Sequence, residues 1–174
     1  MNKRPGLLSF AIAIVVLVLT LKVMNWVPLA VQKNSVRRYT SLEEVRSALN
    51  MKDIYVPTYF PQEITWPPST ILAQSKPFSA IVMRFTRANK RDTALVLSQS
   101  EAGDLAVENP LEITTTTEQV PYSMKGKDAV LIVGTCSQGE TCSMISWTEG
   151  KYFFKIVMKS APFELTKIAE SMHP

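Results

Sequence analysis

The spacing of apolar and polar positions changes along this chain, and each spacing predicts a different element. Residues 5–27 come first. From Pro5 to Leu21 there is no charge, and Ser9 and Thr20 are the only polar side chains. Read on to Val27, the stretch reaches the roughly 20 residues that a helix needs to cross about 30 Å of hydrocarbon. It is expected as a single transmembrane anchor, after a short basic tail at 1–4 and before a linker at 28–38. A secretory signal peptide is the alternative, with Lys3 and Arg4 as its basic start. The one candidate cleavage point, after Ala30, has Pro28 where a small residue is wanted, so the uncleaved anchor is preferred.

Residues 39–174 are expected to form one α+β domain. Ser41 and Glu44 make a capping box in front of Leu42, Val45 and Leu49, which share one helical face. The run from Ile54 to Pro61 is extended but interrupted by Pro57 and Pro61, which suits an arm closing one end of a core. Ile81, Met83 and Phe85 alternate with Val82, Arg84 and Thr86, and a polar turn over 87–92 leads to Ala94–Leu97, a hairpin pattern. Residues 100–109 read as a loop, and Leu111–Glu118 as a solvent-facing or edge strand. Ala129–Val133 is continuously apolar, as in a strand buried on both faces. Tyr152, Phe154, Ile156 and Met158 then share one face, opposite Lys151, Lys155 and Lys159 with Phe153 and Val157. Ser160 and Pro162 open a last helix, whose Leu165, Ile168, Ala169 and Met172 form the stripe that would cover the sheet. The predicted fold is an N-terminal transmembrane helix followed by a twisted antiparallel sheet of five to seven strands, with a helix before it and a helix after it.

Charge changes the picture only when it is located. The formal net charge is +4, yet six of the 19 basic residues and none of the 15 acidic ones precede Tyr39. The domain is therefore mildly acidic, which argues against a nucleic-acid partner, since such a footprint needs clustered positive charge. Orientation is divided. Lys22, Lys33, Arg37 and Arg38 after the anchor outnumber Lys3 and Arg4 before it, which by the positive-inside rule favours a cytoplasmic domain. The cysteine usage and the signal-like start favour an extracytoplasmic one, and that is the expectation.

Cys136 and Cys142 bracket the turn of a predicted hairpin, close enough for a disulfide and suited to an oxidising compartment. A pair of free thiols is the alternative. Catalytic sets are wanting: His173 is the single histidine and is expected to fray at the chain end, so no base serves a Ser or Cys nucleophile. The glycine spacing of Gly134–Thr141 imitates a phosphate loop, but Glu140 stands where a lysine is needed. Arg84, Arg87, Lys90 and Arg91 form a basic patch at a hairpin tip, read as a solvated loop. No cofactor, metal or enzymatic activity is expected.

Several short motifs carry a resemblance. Ser41–Glu44 with Tyr55–Pro61, then Gly134, Trp147–Tyr152 and Leu165–Ser171, resemble a bacterial domain of unknown function carried by membrane-anchored extracytoplasmic proteins, some linked to sporulation or to anti-sigma regulators. The chain departs from that pattern at Trp66-Pro67-Pro68 and in having Cys136 and Cys142. The resemblance implies an antiparallel sheet with packed helices, weakly similar to the half-barrels of periplasmic lipoprotein carriers. The expected function is a single-pass envelope protein whose domain binds a protein partner or a lipid-like ligand, with a regulatory role in prospect. A structural accessory subunit of an envelope assembly is the alternative, with an enzyme as the third and last reading.

Overall fold

A computed structural model of the chain describes residues 12–22, 36–49, 51, 53–89, 92–103, 105, 107–137 and 139–174. Residues 12–22 are helical (α1), and every one of them is exposed. Among the described residues no helix is long and apolar enough to cross a membrane, and the rest of the expected 5–27 span lies outside them.

The body is an antiparallel sheet. In chain order its elements are β1 (Arg37–Tyr39), α2 (Leu42–Leu49), β2 (Val56–Pro57), β3 (Thr70–Gln74), β4 (Ala80–Thr86), β5 (Thr93–Ser100), β6 (Ile113–Met124), β7 (Lys127–Cys136), β8 (Thr141–Glu149), β9 (Tyr152–Met158), α3 (Pro162–Glu170) and β10 (Met172–His173). Eight strands pair in the order β1-β3-β4-β5-β9-β8-β7-β6, and β2 pairs separately with β10. Two strands exceed the expectation. The five-residue β3 sends only Ile71 and Ala73 into the core, too short an alternation to announce it, and β1 uses Arg37 and Arg38, which were expected in the linker. His173, expected to fray, pairs with Val56 in the small second sheet.

The first face of the sheet carries the larger core. Ile81, Met83 and Phe85 of β4, Leu95 and Leu97 of β5, and Phe154, Ile156 and Met158 of β9 are buried against Val45 of α2 and Leu165 and Ile168 of α3. The arm between α2 and β3 fills the gap between the helices: Tyr55 meets Phe154 edge-on with ring centroids 4.9 Å apart, and Phe60 lies 5.2 Å from Phe85. Buried Gln99 fixes that arm, accepting from the Tyr55 N–H at 2.9 Å and donating to the Asp53 carbonyl at 2.6 Å. Tyrosines tie both ends of α3. The Tyr59 hydroxyl donates to Glu164 and the Tyr122 hydroxyl to Glu170. The Glu164 carboxyl is accordingly held below its ordinary range, chiefly by the Tyr59 bond.

Helix starts differ in detail from expectation. The Glu44 N–H donates to Ser41 Oγ, as a capping box requires, but the Glu44 carboxylate reaches back to the N–H and hydroxyl of Thr40. Helix α3 begins after Ala161 with no side-chain cap, and the Ser160 hydroxyl turns to the Ala161 carbonyl. Proline at the first turn removes an N–H that would otherwise need a cap.

Strand β7 is also not buried on both faces. Ala129 and Leu131 are buried, whereas Val130 between them is 37% exposed. The edge strand β6 shields its neighbour with two register shifts and Pro121, devices that discourage edge pairing. The first shift presses the Thr115 carbonyl onto Gly134, where an added Cβ would collide with that oxygen and crowd Ile113. Gly134→Ala should therefore cost about 1–3 kcal/mol, the range for overpacking. The denaturation midpoint checks this, and a wild-type midpoint would contradict the close approach.

Candidate functional site

The second face of the sheet has its own, smaller core. Ala80 and Val82 (β4), Val96 (β5) and Val157 (β9) point to it because side chains alternate along each strand. Their cover is the loop between β5 and β6, which buries Leu105 and Leu111. The loop is held from below: the Ser100 hydroxyl donates to the Gly103 carbonyl, the Arg84 guanidinium to the Glu108 carbonyl, and Asn109 Oδ1 accepts from the Leu111 N–H. Its middle stands off the sheet and leaves a cleft of about 670 Å³. The floor is Val82, Val96, Val157, Ser98 and Lys155, and the walls carry Val107, Glu108, Pro110 and Glu112 from the loop, with Ser137 opposite. That volume lies within the range typical of small-molecule sites. By contrast, the gap beside Trp147 and Ala169 under α3 measures only about 50 Å³.

The far wall is set by the β7–β8 hairpin. Cys136 and Cys142 stand at disulfide distance, with Cα atoms 5.6 Å apart and the sulfurs in bonding contact. The register places Gly134, not Cys136, opposite Cys142, so the pair bridges the turn diagonally rather than squarely. The Ser137 N–H donates to the Glu112 carbonyl, which brings the hairpin and the loop together at the cleft mouth.

One charged side chain is buried among the described residues, and sequence patterning misassigned it. Lys159 was expected on the open face of β9 with Lys151 and Lys155. It lies just past the strand end, 5% exposed, with Nζ 2.8 Å from Glu140 Oε2 and 3.2 Å from Asp92 Oδ2. Arg87 donates to the Lys159 carbonyl at 3.1 Å and approaches Glu63 at 4.0 Å. Burial works against the Lys159 charge, but the two carboxylates outweigh it and raise its pKa. Burial likewise opposes the Asp92 charge, and the Lys159 bond overcomes it to lower that pKa; Glu140 is lowered chiefly by its bond to Lys159. Each group is thus locked in its charged form, the opposite of what proton transfer requires. The cluster joins the β4–β5 turn, the disulfide turn and the end of β9.

The remaining sequence candidates scatter. Of the expected basic patch, Arg84 and Arg87 have the partners just given, and Lys90 and Arg91 lie outside the described residues. Among the described residues no three His, Cys, Asp or Glu side chains group as a metal site. Aromatic exposure marks two further positions: Trp66 is 49% and Phe163 67% exposed, with Lys167 lying 4.0 Å over the Phe163 ring. No protein-family model, curated protein or solved structure matches the chain.

The Lys159 cluster predicts a pH window for stability. Carboxylates with lowered pKa values contribute fully above their ordinary range and lose that contribution as pH falls below about 4. The raised Lys159 contributes below its ordinary value of 10.5 and loses its contribution only above it. Lys159→Met should lower stability at neutral pH by about 2 kcal/mol, the scale of hydrogen bonds to a charged group, and flatten the acid limb of thermal midpoint against pH. An unchanged acid limb would contradict the linkage.

Proposed function

We propose that this chain is a single-pass membrane protein whose extracytoplasmic sheet domain binds a ligand or partner segment in the cleft beneath the β5–β6 loop. The observation that carries this reading is the cleft itself: an aliphatic floor on the second sheet face, ringed by Lys155, Glu108, Glu112 and Ser137. A few polar groups around an apolar floor is the usual composition of a recognition site. The tether rests on residues 12–22, a helix lying open to solvent and apolar but for Thr20 and Lys22. Such a surface in water carries a large penalty that burial in lipid removes. The paired cysteines support an oxidising compartment.

A second reading has its own observation. Trp66 and Phe163 are exposed aromatics of the kind that anchor protein interfaces. In that case the domain would dock a protein through one or both of these side chains, and the cleft would be secondary.

Sidedness and binding are tested together. A Lys76→Cys variant places a thiol on an exposed turn. It should react with an impermeant maleimide in intact cells, and the chain should stay with the membrane after a carbonate wash. Labelling only after lysis, or release by carbonate, would contradict the tether. Native mass spectrometry of the purified full chain should show a bound molecule that Ser98→Trp, which fills the cleft, excludes. An adduct unchanged by Ser98→Trp would place binding elsewhere.

A further inference from the structure

The connection from β5 to β6 has to cross the whole second face. Strand β5 ends at Ser100, level with Phe153 of β9 and, through it, with Thr148 of β8. Strand β6 begins at Ile113, level with Cys136 at the opposite end of β7. The two points are therefore about eight residue rises apart along the strands, roughly 26 Å, and about four strand spacings apart across them, roughly 19 Å. The diagonal is about 32 Å. The chain from Ser100 to Ile113 reaches about 44 Å when extended, which leaves about 12 Å of slack.

The feet of this crossing are fixed and its middle is not. At the first foot the Glu101 N–H donates to the Ser79 carbonyl at 2.9 Å, and Lys151 Nζ lies 2.6 Å from the Glu101 carboxylate. At the second, Leu111 has no exposed surface, and the Glu112 carbonyl accepts from the Ser137 N–H at 3.3 Å. Between them, among the described residues of 102–110, no backbone group bonds to the backbone of the sheet. The Val107 N–H turns instead to the Leu105 carbonyl inside the loop, at 2.7 Å. The middle is held by buried Leu105, by half-buried Val107 and by one bond from the Arg84 guanidinium to the Glu108 carbonyl. Among the described residues Arg84 has no other side-chain hydrogen bond. A segment with so few ties opens without the rest of the fold. Gly103, at φ 67°, gives it a pivot at the first foot.

We infer that the β5–β6 connection is a strap that lifts between Gly103 and Pro110 while its feet stay in place, with Arg84 as the latch of its closed position. Lifting withdraws Leu105 and opens the roofed floor at Val96 and Val157. The use of this motion rests on the cleft-binding reading above; the motion itself does not, and its test needs no ligand.

Two neighbouring residues of β5 on opposite faces provide that test. In the full chain in mild detergent, with Cys136 and Cys142 joined, Val96→Cys puts a thiol under the strap and Leu95→Cys puts one in the helix-covered core. Val96 is 5% exposed, so a maleimide reaches it only after an opening. Each rate is referred to the unfolding equilibrium of the same variant. Val96→Cys should react about a hundredfold faster than global unfolding allows, and Leu95→Cys no faster than it allows. Adding Arg84→Met should speed the Val96→Cys reaction about tenfold further, the scale of one hydrogen bond to a charged group, and leave Leu95→Cys tied to unfolding. Reaction of both thiols at the global-unfolding rate would overturn the strap. Reaction of Val96→Cys as fast as the exposed Lys76→Cys would mean that nothing closes over the floor, and would overturn it equally. Local opening that ignores Arg84→Met would overturn the latch. An empty cleft in native mass spectrometry would leave these rates as they are, so the two readings fail separately.

Discussion

Strands β5 and β9 lie in the middle of the sheet, and both of their faces carry buried apolar side chains. That constraint governs the rest of the structure, because each face must be taken out of water by something the chain supplies elsewhere. On one face Leu95, Leu97, Phe154 and Ile156 are met by α2, α3 and the aromatic arm between α2 and β3. On the other, Val96 and Val157 share a smaller cluster with the Cys136–Cys142 pair and with Leu105 and Leu111 of the loop. Helices fill their side to the point where side chains interlock. A loop tied down at Gly103, Glu108 and Asn109 cannot follow the sheet as closely, and the space it leaves is the cleft.

This difference explains what sequence patterning could and could not foresee. The helices at 42–49 and 162–170, the β4–β5 hairpin and the amphipathic β9 were legible because each buries one continuous face, and a buried face imposes its period on the residues. The second face was not legible. Leu105 sits in a stretch with glycine, proline and acids, where apolar residues have no period, and Leu111 was expected to open an edge strand that begins only at Ile113, so nothing marked either as a core cover. Lys159 misled for a related reason: counting by twos from Lys151 and Lys155 places it on the open face, but β9 ends at Met158 and the chain turns. Its partners Asp92 and Glu140 lie 67 and 19 residues away in two different turns, and charges so distant in sequence reveal a pairing only once the strands are registered. The diagonal placement of Cys136 and Cys142 depends on the same register.

The ionic cluster and the disulfide hold one end of the sheet, and the cleft wall at Ser137 belongs to the turn they share. The β7–β8 hairpin thereby links stability to the shape of the cleft: what fixes the turn also fixes the cleft mouth. Within this cluster Lys159, Asp92 and Glu140 spend their electrostatics on one another.

The central claim is that a loop does the work of a core on the second face. Equilibrium denaturation of Leu111→Ala tests it most directly. Leu111 has no exposed surface although it lies outside every strand and helix. If the loop seals a second core, the substitution should cost about 2–5 kcal/mol, as truncating a buried leucine does. A loss of less than about 0.5 kcal/mol, the figure for an ordinary surface position, would contradict the account.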